Sequence, residues 1–102
     1  MNVDVTITST SATVSKVDRS AVNVSRNDTI TWTNMTADLA ILFIPHKKLA
    51  DNQNQVHRQI AANGGTAKVK ITTGTRRSYS YGIFCHDTNS FATGSDPEII
   101  VQ

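Results

Sequence analysis

The chain is poor in cysteine, proline and aromatic residues, and it has no long apolar run. It contains 102 residues with one Cys, two Pro and 6% aromatic residues. The single cysteine, Cys85, excludes an internal disulfide, and no segment approaches the ~18 apolar residues of a membrane span. The stretch MNVDVTITST lacks the apolar core of a signal peptide. We therefore expect a cytoplasmic protein if Met1 is the native start, and a periplasmic or extracellular one if a leader has been removed.

Charge and catalytic motifs are also scarce. The formal net charge is +2, and only 18% of residues are charged. The basic residues are neither dense nor in long runs, which argues against a nucleic-acid partner. There is no glycine-rich phosphate loop, Cys-x-x-Cys pair or Gly-x-Ser-x-Gly motif. Cys85 and His86 are neighbours on a predicted strand, so their side chains cannot face each other as a catalytic dyad. We expect a protein that is not an enzyme.

Alternation of apolar and polar residues is the dominant pattern that is present. The segments VDVTITS, SAVNVSR and RNDTITWTN alternate as half-buried strands do. The continuous apolar run in DLAILFIP predicts a strand that is buried on both faces and ends at Pro45. The predicted core includes Val5, Ile30, Trp32, Ile41, Tyr81, Ile83 and Ile100.

Residues 46–60 break this alternation. Leu49, Val56 and Ile60 are spaced seven and then four residues apart, which fits one or two helical turns or an irregular polar excursion. Strands resume with TAKVKIT, YSYGIFC and EIIVQ. Seven or eight short strands separated by turns predict one all-β sandwich domain over residues 1–102.

Three segments resemble the cupredoxins, the plastocyanin and azurin family of Greek-key β-sandwiches. VSRNDTITWTN and IAANGGTAKVKIT look like two of the family's turn-and-strand units, and GTRRSYSYGIFC is similar to the strand that carries its copper-binding Cys. The resemblance implies a cupredoxin-like fold with Cys85 at the copper pole. Strand alternation then turns one set of side chains inward and another outward. The inward set is Tyr79, Tyr81, Ile83 and Cys85, and the outward set is Ser80, Gly82, Phe84 and His86.

The copper ligands of the resembled family are not repeated in this sequence. A blue-copper site needs two imidazoles and a thiolate, with a weak axial ligand such as Met. The resemblance puts Leu39 at the place of the first His, and Thr88 and Thr93 near the places of the other ligands. Hydroxyl groups are poor partners for soft copper, so we expect no cofactor. Phe91 would then fold back into the space of the copper ion.

Three interpretations of Cys85 remain open, one of which is a nucleophilic thiol in an enzyme. Free Cys is commonly buried as a small apolar side chain, which suits a copper-free module. The alternative is a small metal-binding or electron-transfer protein with an atypical copper site built from Cys85, His86 and Met35.

Basic residues concentrate in HKKLADNQNQVHR and in the turn before the Cys85 strand. His46 lies seven residues past Leu39 along one strand, roughly 23 Å at ~3.3 Å per residue, which is the pole opposite Cys85. The partner-surface candidates are His46, Lys47, Lys48, His57, Arg58, Arg76 and Arg77, with the outward-facing Phe84. They form either a solvated loop or a surface for an anionic molecule or a protein. The sequence therefore predicts a copper-free binding or structural module.

Overall fold

The computed structural model describes residues 1–92 and 97–102, and every regular element within these ranges is a β-strand. The strands are β1 (Asn2–Ser9), β2 (Ser15–Val17), β3 (Ala21–Val24), β4 (Thr29–Asn34), β5 (Ala40–Ile44), β6 (Val56–Ile60), β7 (Gly65–Lys70), β8 (Arg77–Ser80), β9 (Gly82–Cys85), β10 (Ser90–Phe91) and β11 (Glu98–Val101). The predicted all-β architecture is confirmed. Over the described ranges there is no helix of the length and hydropathy that a membrane crossing requires.

The strands form three hydrogen-bonded sheets, ordered β2-β1-β4-β7, β10-β9-β5-β6 and β3-β11-β8. The pairs β1–β4 and β3–β11 are parallel, and the others are antiparallel. β8 and β9 are nearly continuous, but they belong to different sheets because the chain changes partners at Tyr81, whose N–H donates to the Pro97 carbonyl at 3.0 Å. β2 and β3 likewise lie in different sheets. The observed strands outnumber the predicted seven or eight because the YSYGIFC segment divides into β8 and β9, and because β6 and β10 lie in segments that were expected to be irregular.

Alternating side chains from all three sheets fill one apolar core. The buried members of the predicted core are Val5, Ile30, Trp32, Tyr81 and Ile83. Strands that bury every second residue place the intervening polar residues in solvent, as β1 and β3 do. The alternation in the sequence therefore located the core correctly along most strands.

The assignment of Ile41 and Ile100 to the core is wrong, since both are half-buried. In β5, Ala40 pairs with Cys85 and is buried, so the next residue, Ile41, faces the other side. In β11, Ile99 is buried and Ile100 is turned away from the core. Both segments are apolar at consecutive positions, and a shift of one residue exchanges the two faces of a strand.

Residues 46–60 do not form one excursion. The chain is irregular and non-helical only as far as Gln55, and Val56 begins β6. Leu49 is fully buried although it lies in the irregular segment. Val56 and Ile60 are four residues apart and therefore share the inner face of a strand. Residues four apart share a face both in a helix and in a strand. This ambiguity explains why one or two helical turns were expected here.

Asp51 fastens the irregular segment to the neighbouring strands. Its N–H donates to the Lys70 carbonyl at 2.8 Å, and its Oδ1 accepts from the Lys70 N–H at 2.9 Å. Its Oδ2 accepts from Arg58 Nη2 at 2.6 Å. These contacts fix the segment that carries Lys47 and Lys48 against β6 and β7.

Trp32 and Tyr81 form the central aromatic contact of the sandwich. Their ring centroids are 5.4 Å apart with an interplanar angle of 69°, an edge-to-face arrangement. Trp32 Nε1–H donates to Tyr81 Oη at 3.2 Å, so both buried polar groups have a partner. Burial raises the pKa of Tyr81 to about 12, because the phenolate would lose its hydration; the hydrogen bond from Trp32 acts in the opposite direction.

We expect the protein to lose stability between about pH 10 and pH 12 because of Tyr81. The unfolded phenol ionises near its ordinary pKa of 10.0, whereas the folded phenol ionises near 12. Stability from this group is therefore complete below pH 10, and by pH 11.5 about 2 kcal/mol of it is lost. Urea unfolding followed by Trp32 fluorescence, at pH 9 and pH ~11.5, measures this loss.

The variant Tyr81→Phe separates this effect from that of other groups that titrate in the same range. It lacks the ionisable phenol and should lose less stability over the same pH interval. Equal losses in the wild type and in Tyr81→Phe would contradict the assignment.

Candidate functional site

Cys85 lies at the end of β9 among small hydroxyl side chains. It is fully buried, and its thiol hydrogen-bonds with Ser15. The Ser15 and Thr88 hydroxyl oxygens are 2.6 Å apart, and Thr88 Oγ1 lies 2.9 Å from Ser90 Oγ. Burial raises the pKa of Cys85; the hydrogen bond from Ser15 lowers it, and the charge of Asp87 adds to the rise. The side chain is therefore a thiol at neutral pH, and copper binds the thiolate.

Leu39 and Thr88, the two described residues at the expected ligand places, contribute no donor suited to copper. Leu39 is half-buried, and its carbonyl accepts the His86 N–H at 3.0 Å. Thr88 is committed to the hydroxyl chain. Thr93 lies outside the described residues. Leu39 and Thr88 thus bring an aliphatic and a hydroxyl group to places where a blue-copper site has imidazoles.

The alternative ligands Cys85, His86 and Met35 point in different directions. Cys85 faces the core, whereas His86 is exposed and its ring centroid lies 5.4 Å from that of Phe84 on the outer side of β9. Met35 is 54% exposed. Among residues 1–92 and 97–102, there is no group of three or more His, Cys, Asp or Glu side chains that could hold a metal ion. The donors near Cys85 therefore do not fit copper.

Asn34 closes the same pole with internal hydrogen bonds. It is fully buried, and its Nδ2 donates to the carbonyls of Asp38 and Ile60 at 2.9 and 3.1 Å. Its Oδ1 accepts from the Thr36 N–H at 3.0 Å and from the Thr36 hydroxyl at 2.6 Å. A buried amide that uses both ends in this way braces the β4–β5 turn and leaves little capacity for a ligand.

Five of the seven basic candidates lie at the end of the sandwich opposite Cys85, and we call this surface the basic pole. Its members are His46, Lys47, Lys48, Arg76 and Arg77. The ring of Tyr79 joins its two segments, since the His46 ring centroid lies 5.2 Å away and Arg77 Cζ lies 4.9 Å away. His46 Nε2 also hydrogen-bonds with the Ser80 carbonyl at 2.7 Å. Arg77 gains a cation–π contact with the same ring.

The other two candidates, His57 and Arg58, lie in β6 rather than in a loop. Arg58 forms the ion pair with Asp51 and bridges the gap to β7, where Nη1 donates to the Lys68 carbonyl at 3.5 Å. His57 is exposed on the outer face of β6, with its ring centroid 6.1 Å from that of Phe43. Both residues adjoin the basic pole from the strand side, because the antiparallel pairing of β5 with β6 sets Val56 beside Ile44 and His57 beside Phe43.

Arg26 is a basic residue of this region that the sequence interpretation missed. A β-carbon added at Gly74 would lie 3.7 Å from Arg26 Cδ, so Arg26 lies beside the loop that carries Arg76. The sequence contained a signal for this placement. Arg26 directly precedes the Asn27-Asp28 turn that leads into β4, and turns between strands lie at the ends of a sandwich.

A second surface is the outer side of the sheet β10-β9-β5-β6, which we call the aromatic face. It consists of Ile41, Phe43, Phe84 and Phe91. Ile41 and Phe91 lie on either side of Phe84 in the strand register, and the rings of Phe84 and Phe91 are 5.2 Å apart at 81°. Phe43 is 38% exposed and Phe91 is 61% exposed. Phe84 faces outward, as the strand phase predicts.

The aromatic face corrects two expectations. Phe91 does not fold into the end of the sandwich around Cys85, which we call the Cys85 pole. Its ring lies over β9, 3.5 Å from where a β-carbon of Gly82 would be. β5 is not buried on both faces, because Phe43 is exposed. The apolar run in this strand is continuous because alternate residues serve the core and the aromatic face.

Comparisons with known proteins bear on the fold. No family model matches the chain, and no curated protein matches it. Solved structures of amicyanin are similar to it. A methionine variant in the Cu(I) form has a TM-score of 0.68 at 16% identity, and a reduced tryptophan variant has 0.67 at 15% identity; each alignment covers 99% of this chain and 82% of that chain. The chain therefore has the cupredoxin fold, as the resemblance predicts.

We expect titration with Cu(II) to produce no intense thiolate-to-copper absorption band. The physical reason is that Cys85 is a buried thiol whose neighbours are hydroxyls, and no imidazole faces it. Visible absorption spectra recorded during the titration measure this. An intense band that disappears in Cys85→Ser would overturn the copper-free interpretation, whereas a weak band that survives in that variant reports binding elsewhere.

Proposed function

We propose that the protein is a copper-free, non-enzymatic binding module that engages an acidic segment of a partner protein through the basic pole. The observation that carries this proposal is the imbalance of charge at that pole. Among the described carboxylates, Asp51 lies in the segment that carries Lys47 and Lys48, and Asp28 lies two residues after Arg26; both already have partners. Asp28 lies 3.2 Å from the terminal ammonium of Met1, and Asp51 is paired with Arg58.

The cations of the basic pole remain available to a ligand. Lys47 and Arg76 are exposed, and the ion pairs found within the described ranges involve neither residue. Lys48 Nζ donates only to a neighbouring carbonyl, that of Asn52, at 3.3 Å. Several uncompensated cations on one end of a small protein create a positive potential that attracts acidic chains. Salt weakens that attraction, because the charges are exposed to solvent.

The described part of the Cys85 pole, in contrast, offers few groups that could bind a ligand. Its polar side chains bind one another, as in the Ser15–Thr88–Ser90 chain and in the contacts of Asn34. A binding or catalytic site usually needs groups that are held in place but left unsatisfied until a ligand arrives. The internal bonding of the Cys85 pole favours a structural role for it.

Charge reversal at the basic pole is expected to abolish binding of a polyglutamate peptide. The variant is Lys47→Glu with Arg76→Glu, since both side chains are exposed and lie outside the strands. Fluorescence anisotropy of a labelled polyglutamate should show an affinity loss of at least about tenfold, and wild-type binding should weaken as salt rises. Arg58 is left unchanged, because its replacement would break the ion pair with Asp51.

The matched control is Lys16→Glu with Arg19→Glu, which changes the net charge equally. Both residues are exposed and lie on or just after β2, away from the basic pole. We expect this control to change the affinity by less than about threefold. Equal losses in the two double variants would show that only net charge matters and would remove the basic pole as a site.

A further inference from the structure

The fold itself does not explain the aromatic face. The core is complete without it, and Ile41, Phe43, Phe84 and Phe91 lie on the solvent side of their sheet. Single exposed apolar residues are ordinary, whereas adjacent ones on one face of a sheet, rimmed by polar residues, are a feature of interaction surfaces. Strand pairing makes this patch contiguous, since Phe91 lies beside Phe84, and Phe84 lies beside Ile41.

The charge around the aromatic face selects its partner. The sheet β10-β9-β5-β6, all of whose strands are described, carries no Asp or Glu, and its ionisable side chains besides Cys85 are His57 and Arg58. A second copy of the chain would bring the same surface, which has no carboxylate to offer. Arg58 is already paired with Asp51, so the cations that select an acidic partner are those of the adjoining basic pole.

The size of the aromatic face also argues against a second copy of the chain as the partner. β5 and β6 have five residues, β9 has four and β10 has two, so at ~4.8 Å between strands and ~3.4 Å per residue the surface is at most roughly 14 by 17 Å. This is well below the ~800 Å² per partner that a stable protein–protein interface buries. The face alone is therefore too small for a stable dimer, and a specific partner needs additional contact area.

The basic pole supplies that area, because β5 leads directly into it. Ile41 and Phe43 are followed in the same outward phase by the exposed Pro45, and then by His46 and Lys47. The apolar and cationic surfaces thus adjoin along one strand and its extension.

We propose that the aromatic face and the basic pole form one continuous binding surface for an acidic amphipathic segment of a partner protein. Apolar side chains of that segment pack on Phe43, Phe84 and Phe91, and its carboxylates pair with Lys47 and Arg76. This inference rests on the proposed function and adds to it the apolar half of the site and the amphipathic character of the ligand.

Two labelled peptides of equal length and charge test this. One has a run of Glu followed by alternating Phe and Ser, and in the other Gly replaces each Phe. We expect the Phe peptide to bind about tenfold more tightly in anisotropy titrations. The variant Phe43→Ser with Phe91→Ser should remove this gain and leave binding of the Gly peptide unchanged.

The control variant is Met35→Ser with Val14→Ser, which removes two exposed apolar side chains that lie off the aromatic face, 54% and 37% exposed. It should keep the full gain. Near-UV circular dichroism and thermal unfolding verify that each variant is folded, and the exposure of the replaced side chains predicts small stability losses.

Each remaining outcome has a distinct meaning. Equal affinities for the two peptides in the wild type would overturn this inference and leave the proposed function standing, whereas failure of both peptides to bind would overturn both. Loss of the gain in the control variant would move the apolar contact away from the aromatic face. Sedimentation that shows a wild-type dimer, dissociated by Phe43→Ser with Phe91→Ser, would make a second copy the occupant and also overturn the inference.

Discussion

The buried contact between Trp32 and Tyr81 fixes which side chains the two ends and the outer sheet face of this protein present. Tyr81 lies where the chain leaves the sheet of β8 and enters the sheet of β9, and its phenol hydrogen-bonds with Trp32 across the core. With Tyr81 held inward, strand alternation fixes its neighbours. Cys85 is placed inside one pole, Phe84 on the outer face, and Tyr79 under the cations of the opposite pole. This one buried pair thereby fixes the direction in which the side chains of β8 and β9 point at both ends and on the outer face.

The Cys85 pole illustrates that a fold does not carry a site with it. The chain keeps the cupredoxin fold, at 16% identity to the amicyanin structures it resembles. Yet Ser15, Thr88 and Ser90 form a chain of hydroxyls around the cysteine. Those hydroxyls are satisfied by one another and stabilise a closed end of the sandwich. The fold alone therefore does not determine the function, which depends on side chains that remain free to bind.

The sequence predicted the features that depend on local alternation. The inward phase of Tyr81 and Cys85, the burial of Trp32 and the outward phase of Phe84 all follow from a period of two. Where consecutive residues are apolar, alternation does not show which of them face the core. For this reason Ile41 was assigned to the wrong face of β5.

Features that depend on contacts between strands could not be predicted from the pattern of residues along the chain. The pairing of Arg58 with Asp51 arises because β6 and β7 flank the irregular segment. That pairing neutralises the charge of Arg58, which the sequence alone had counted among the free cations. The aromatic face likewise exists only because β10, β9 and β5 are adjacent. Phe91 and Ile41 are fifty residues apart in the chain, and no periodicity connects them.

Binding away from the Cys85 pole, on the surface formed by the aromatic face and the basic pole, can be tested by chemical-shift mapping of isotope-labelled protein with the Phe-containing acidic peptide. We expect the perturbed amides to cluster in β5, β9 and β10 and at Lys47 and Arg76. Perturbations confined to the loops around Cys85, including Met35 and Thr88, would contradict it.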